Sequence, residues 1–211
     1  MGSRASLKLG VLVSGRGTNL QAILDGCESG RIPASVEVVV SNRPGVPALR
    51  RAEAKAVPAC CVNFKEFGRW PDCKPQYEEK VVEVLKQRVV ELVVLAGYDR
   101  LAGDVLMGAF PGRIINVHPA LLPSFPGLHA QRDALMYGAK VSGATVFFVD
   151  PTVDGGPIIV QDAVPVQEGD TEETLSLRIL QVEHRILPLA IALIAQGRTR
   201  IEGRVVRINP N

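Results

Sequence analysis

Along the first two-thirds of the chain, short apolar runs rich in β-branched residues alternate with segments of helical period. That rhythm limits the possible folds more than any other feature. The runs "LKLGVLVS" (7–14), "VEVVVSN" (36–42), "PACCVN" (58–63), "ELVVLAG" (91–97) and "RIINVH" (113–118) read as buried strands. After the first comes a glycine-rich turn and a helix with Leu20, Ile23, Leu24 and Cys27 on one face. A second helix is expected over 46–56, and a third over 77–88 with Val81, Val82, Leu85 and Val89 in its stripe. A short one is expected around 103–110. Alternation of this kind implies a mostly parallel sheet covered on both faces, a doubly wound, Rossmann-like α/β fold.

The rhythm then changes. "SGATVFFVD" (142–150) and "PIIVQDAVPV" (157–166) are joined only by "PTVDGG", which leaves no room for a crossover helix and predicts an antiparallel C-terminal hairpin. A long helix is expected from Asp170, with Asp170 and Glu173 as a capping box and Leu175, Ile179, Val182, Ile186 and Leu187 as its buried stripe. Pro188 should kink or interrupt it. "RTRIEGRVVRI" predicts a small hairpin through Glu202-Gly203.

Composition sets outer limits. At 211 residues the chain can bury the core of a single domain. A net charge of +2 leaves no basic footprint for nucleic acid. No apolar run reaches the roughly 18 residues of a membrane span, and the N-terminal "MGSRASLK" lacks the apolar region of a signal peptide. Cys27, Cys60, Cys61 and Cys73 form no C-x-x-C, and with three histidines a zinc site is poorly supplied. Reduced thiols in a cytoplasm are the expectation, with small molecules as partners and no metal.

In parallel α/β sheets ligands bind at the carboxyl ends of the strands. Here those ends are 14–19, 41–43, 97–101 and 116–118, and they must share one edge. The first, "SGRGTNL", offers Gly17, Thr18 and Asn19 at a helix N-terminus, where free N–H groups and a positive dipole end attract anions. Leu20 fills the third glycine position of a dinucleotide fingerprint, and Asn42-Arg43 stands where a ribose-binding acid would be. A monophosphate fits better than NAD. The plain alternative is a turn in which Thr18 and Asn19 only cap the helix.

"IINVHPALLPSFPGLHA" (114–130) puts Asn116 and His118 on one pleat face and follows them with three prolines. An amide and an imidazole aimed at one point could stabilise an oxyanion and move a proton. The alternative is an Asn fixing a turn and a His packed under prolines. Asp154, in "DPTVDGGP", is either a turn carboxylate or, if its loop folds over the sheet edge, a partner that orients His118. Glu183-His184 on the long helix are a further candidate pair.

Taken in order, "SGRGTNLQAI", "VVLAGYDRL", "INVHPALLPSFPGLHA", "SGATVFFVD" with "VDGGPII", and "EHRILPLAI" resemble the landmarks of the glycinamide ribonucleotide formyltransferases over residues 8 to 195. The resemblance implies the formyltransferase fold in a single domain over 1–211. Residues 7–100 would bind the ribonucleotide phosphate, and residues 101–211 the folate and the catalytic groups. It implies transfer of a formyl group from 10-formyltetrahydrofolate, as co-substrate, to the amine of phosphoribosylglycinamide in purine synthesis, by a monomer or homodimer. Asn116, His118 and Asp154 match the catalytic trio. Gly17, Thr18 and Asn19 match the phosphate loop, Glu183 a substrate contact, and Lys74 aligns loosely with a substrate-touching Arg. Asp99, Arg100, Leu101 and Ala102, with Asn116 and Asp150 to Asp154, match the folate contacts. The family usually has Met at Asp99, Leu at Ala102, Ser at Ala120 and His at Phe147. The domains that extend methionyl-tRNA formyltransferases and formyltetrahydrofolate hydrolases are not expected. Another formyl-folate enzyme, such as a hydrolase, and a non-catalytic nucleotide-binding module stay open as alternatives.

Overall fold

A computed structural model describes residues 6–210; residues 1–5 and 211, the ends of the expected domain, lie outside the described residues. The parallel strands are β1 (Leu7–Val13), β2 (Ala34–Ser41), β3 (Ala59–Cys61), β4 (Leu92–Leu95) and β5 (Ile114–His118). Antiparallel strands β6 (Val141–Phe148) and β7 (Ile158–Pro165) extend this set, and the hairpin of β8 (Thr199–Glu202) and β9 (Val205–Ile208) joins β7 through a parallel β7–β9 pairing. All nine form one sheet in the order β3-β2-β1-β4-β5-β6-β7-β9-β8. The chain leaves β1 towards β2 on one side and returns to β4 on the other, so the strand order reverses between β1 and β4. Such a reversal opens a crevice at the strands' carboxyl ends.

The helices are α1 (Thr18–Glu28), α2 (Pro47–Ala54), α3 (Lys74–Gln87), α4 (Asp104–Ala109), α5 (Ala130–Tyr137) and α6 (Glu172–Ala195). Successive strand residues feed opposite cores. Val11 and Val13 of β1, Leu92 and Val94 of β4, and Ile115 and Val117 of β5 pack with α1, α2 and α6. Leu12, Val93, Leu95 and Ile114 pack with α3 and α4. Gly10 makes room on the α3 side, because a Cβ there would lie 2.4 Å from Leu85 Cδ2 and that side chain would have to shift. By the same alternation Asn116 and His118 share the face of Ile114. Among the described residues no helix is long and apolar enough to cross a membrane.

Four expectations change. Helix α3 starts at Lys74, and it ends before Val89, which takes a left-handed backbone (φ 52°) and is exposed, while Val90 is buried in its place. The capping box of α6 is Thr171 with Thr174, one residue later than expected; Asp170 instead binds Arg178. Pro188 does not interrupt α6. It has no N–H for the carbonyl four residues back, but it is buried with Leu187, Ala190 and Ile191, and that packing holds the helix through the defect. Helix α5 and a 3-10 turn at Phe64–Glu66 were not anticipated.

Candidate active site

Asn116 and His118 end β5 at the sheet's carboxyl edge, and the loop 150–156 brings Asp154 back to them. His118 Nε2 lies 2.8 Å from the Phe125 carbonyl oxygen. A carbonyl can only accept, so Nε2 carries a proton. That leaves Nδ1 as the one nitrogen free for chemistry, and Asp154 Oδ2 stands 3.5 Å from it. The same oxygen accepts the Gly127 N–H at 2.8 Å, which fixes the carboxylate. Both side chains are nearly sealed, 5% and 10% exposed, so charge placed here is weakly screened. No side-chain hydrogen bond ties up the Asn116 amide among the described residues, and across the strands it faces Phe147.

The trio lines a cavity of about 790 Å³. Asp99, Arg100, Leu101 and Ala102, from the loop after β4, form another wall, and Asp150 sits at its rim. The Asp150 carboxylate is used within its own loop, where it accepts Thr152 N–H and Oγ. Glu78 reaches from α3 to receive the N–H groups of Gly103 and Leu106, capping α4 and fixing where the Asp99–Ala102 segment ends. The Arg100 guanidinium lies over the rings of Phe64 (4.0 Å) and Trp70 (4.7 Å).

A second cavity, of about 630 Å³, opens at the start of α1 and shares Gly97 with the first. Gly17 sits at its edge with φ 73°, and a Cβ there would lie 2.6 Å from Ala48 Cβ, so only glycine fits the turn. No side chain caps α1, which leaves the N–H groups of its first turn without a side-chain partner. Asn19 Nδ2 donates to Glu183 Oε2 at 2.7 Å, and Asn19 Oδ1 is buried with no partner. Burial pushes the Glu183 carboxyl up, while the Asn19 bond works the other way. Arg16 is the one cation on this cavity's wall, against Glu172, Glu173 and Glu183.

The formyl transferase family profile matches residues 7–191. The chain belongs to the formyl transferase family. It is 41% identical over 184 residues to "Phosphoribosylglycinamide formyltransferase" of Bacillus subtilis, covering 87% of this chain and 92% of that protein. The solved structure of glycinamide ribonucleotide transformylase 1 from Symbiobacterium toebii superposes with a TM-score of 0.94 at 51% identity, covering 100% of this chain and 96% of the other. The "Trifunctional purine biosynthetic protein adenosine-3" of Gallus gallus is 41% identical over 195 residues, 92% of this chain. There the chain spans only 19% of the relative's length.

This formyl transferase gathers Asn116, His118 and Asp154 in one cavity with Asp99–Ala102 and Asp150, and Gly17, Thr18, Asn19 and Glu183 in the other. Lys74 falls on the opposite side from its expected company. It starts α3 and lines the larger cavity, because α3 packs on the other face of the sheet from α1 and α6. Each cavity draws residues from both halves of the chain. Sequence reasoning missed Glu78, Trp70 and Phe125. A buried acid in the stripe of α3 was the available signal for Glu78. Phe125 acts through its carbonyl, which no side-chain pattern reveals.

Proposed function

We propose that the chain transfers the formyl group of 10-formyltetrahydrofolate to the amine of 5'-phosphoribosylglycinamide, giving the N-formyl product and tetrahydrofolate in de novo purine biosynthesis. One observation carries the reading: the Asn116–His118–Asp154 cavity shares the Gly97 wall with the cavity at the glycine turn of α1. A phosphate at Gly17, Thr18 and Asn19 would anchor a ribonucleotide whose far end reaches Asn116. Glu183 would bind the same substrate. The folate would take the larger cavity, against Asp99–Ala102, Asp150 and Lys74.

The amine lone pair attacks the formyl carbon, and the carbonyl electrons move onto oxygen. The free Asn116 amide donates to that oxygen, a role typically worth ~10²–10³ in rate. His118, with Nε2 committed to Phe125, can add a second donor only through a protonated Nδ1. Asp154 holds that ring and, through a water, accepts the proton lost by the attacking nitrogen. The proton passes to N10 of the folate as the carbon–N10 bond breaks, so tetrahydrofolate leaves neutral at that atom. Free thiols at all four cysteines support a reducing cytoplasm as its setting.

The test is to mix the protein with 10-formyltetrahydrofolate and follow deformylated folate with and without the ribonucleotide. Release that requires the ribonucleotide is the expected result. Release without it would make the chain a hydrolase, and no release under either condition would make it a binding module.

A further inference from the structure

At the strand-order reversal between β1 and β4, three strand-end loops converge on one carboxylate. Asp99 Oδ1 accepts Ser14 Oγ at 3.0 Å, from the end of β1, and Asn42 Nδ2 at 2.7 Å, from the end of β2. Arg43 pairs with the other oxygen, and Arg100 Nε stands 3.9 Å from the first. The tie is reciprocal, because Asp99 N–H donates to Ser14 Oγ at 2.9 Å and Ser14 N–H donates to the Gly97 carbonyl at 3.1 Å. Ser14 and Asn42 are buried. Burial acts to raise the Asp99 carboxyl, but the Asn42 and Ser14 hydrogen bonds and the charges of Arg43 and Arg100 outweigh it and hold it below its ordinary value.

The positions of these groups give the cluster a meaning. Ser14 leads directly into the glycine turn that edges the α1 cavity, and Asp99 opens the segment that walls the larger one. A methionine side chain here, with only a weakly accepting thioether, would hold none of these donors as the carboxylate does. We propose that Asp99 is a positioning residue, whose carboxylate holds the ribonucleotide loop and the folate loop in register so that the two substrates meet at Asn116. This rests on the reading of the two cavities given above. A residue that only walled the folate cavity would affect folate alone; a residue tying the loops together affects both substrates.

Asp99→Met, Ser14→Ala and the double variant test the idea. Ser14 is on the wall of neither cavity. Wild type must first show ribonucleotide-dependent formyl transfer; if it does not, the functional reading falls rather than the positioning role. Given an active wild type, each single variant should raise KM for both substrates roughly tenfold, the loss of a hydrogen bond to a charged group. The double variant should add little to either. Asp99→Asn, which keeps an acceptor but loses the charge facing Arg43, should fall between wild type and Asp99→Met. A change in the folate KM alone, full additivity, or a lowered melting temperature with both KM values intact would each overturn the proposal.

Discussion

His118 is flanked at both nitrogens by residues with unusual backbones. Phe125, whose carbonyl takes Nε2–H, has φ 53°, and Asp154, opposite Nδ1, has φ 50°. A left-handed backbone is uncommon outside glycine and is least favourable for a bulky residue such as Phe. Asn tolerates that region as Asp does and can still accept the Gly127 N–H, but it cannot carry the charge or take the proton. Asp154→Asn should therefore fold normally and lose ~10²-fold or more in kcat. Asn116→Ala should match it in kcat and leave the melting temperature unchanged, since the amide makes no side-chain hydrogen bond among the described residues. Steady-state rates beside thermal melts would check both. Near wild-type turnover in either variant would remove that residue from the mechanism. Asn116 and His118 were readable in sequence because polar groups closed an apolar strand; the His118 tautomer was not, since it depends on a backbone carbonyl seven residues on.

Between these residues runs the loop 119–127, which carries three prolines and is also pinned by side chains of β6 and β7. Thr145 Oγ is fully buried, donates to the Ala120 carbonyl at 2.7 Å and accepts the Leu122 N–H at 3.1 Å. Gln161 Nε2 reaches the same hydroxyl and the Leu122 carbonyl, at 2.9 and 2.8 Å. Thr145→Val keeps the shape but strands these buried backbone groups, at a cost of about 1–3 kcal/mol. The expected outcome is a lower melting temperature together with reduced kcat, because His118 begins this loop. A stability loss with unchanged kcat would show that the prolines hold His118 unaided. The strands themselves were legible because β-branched runs with short connectors have few alternatives. Helix α5 was not: only Ala130 and Ala134 of its eight residues are buried, too small an apolar stripe to register as a period. Helix α6 continues through Pro188 because tertiary burial overrides a local rule.

In the whole molecule, two cavities of different character meet at one sheet edge. The larger is walled by Trp70, the only tryptophan in the chain, so its emission can report folate binding without turnover. In the proposed reading the α1 cavity would rely on backbone N–H groups and Arg16 to hold a phosphate beside three carboxylates, which would make the geometry of the glycine turn decisive. Thr18 makes no capping hydrogen bond, so Thr18→Ala should remove the proposed phosphate contact without unravelling α1. The ribonucleotide KM should rise roughly tenfold with kcat little changed, the mark of lost ground-state binding. The Trp70 titration with folate alone should be the same as for wild type, because Thr18 is no part of that wall. Should the ribonucleotide KM stay put, the turn would be an ordinary β-α connection, and the phosphate would have to be held by Arg16 and groups farther along the cavity.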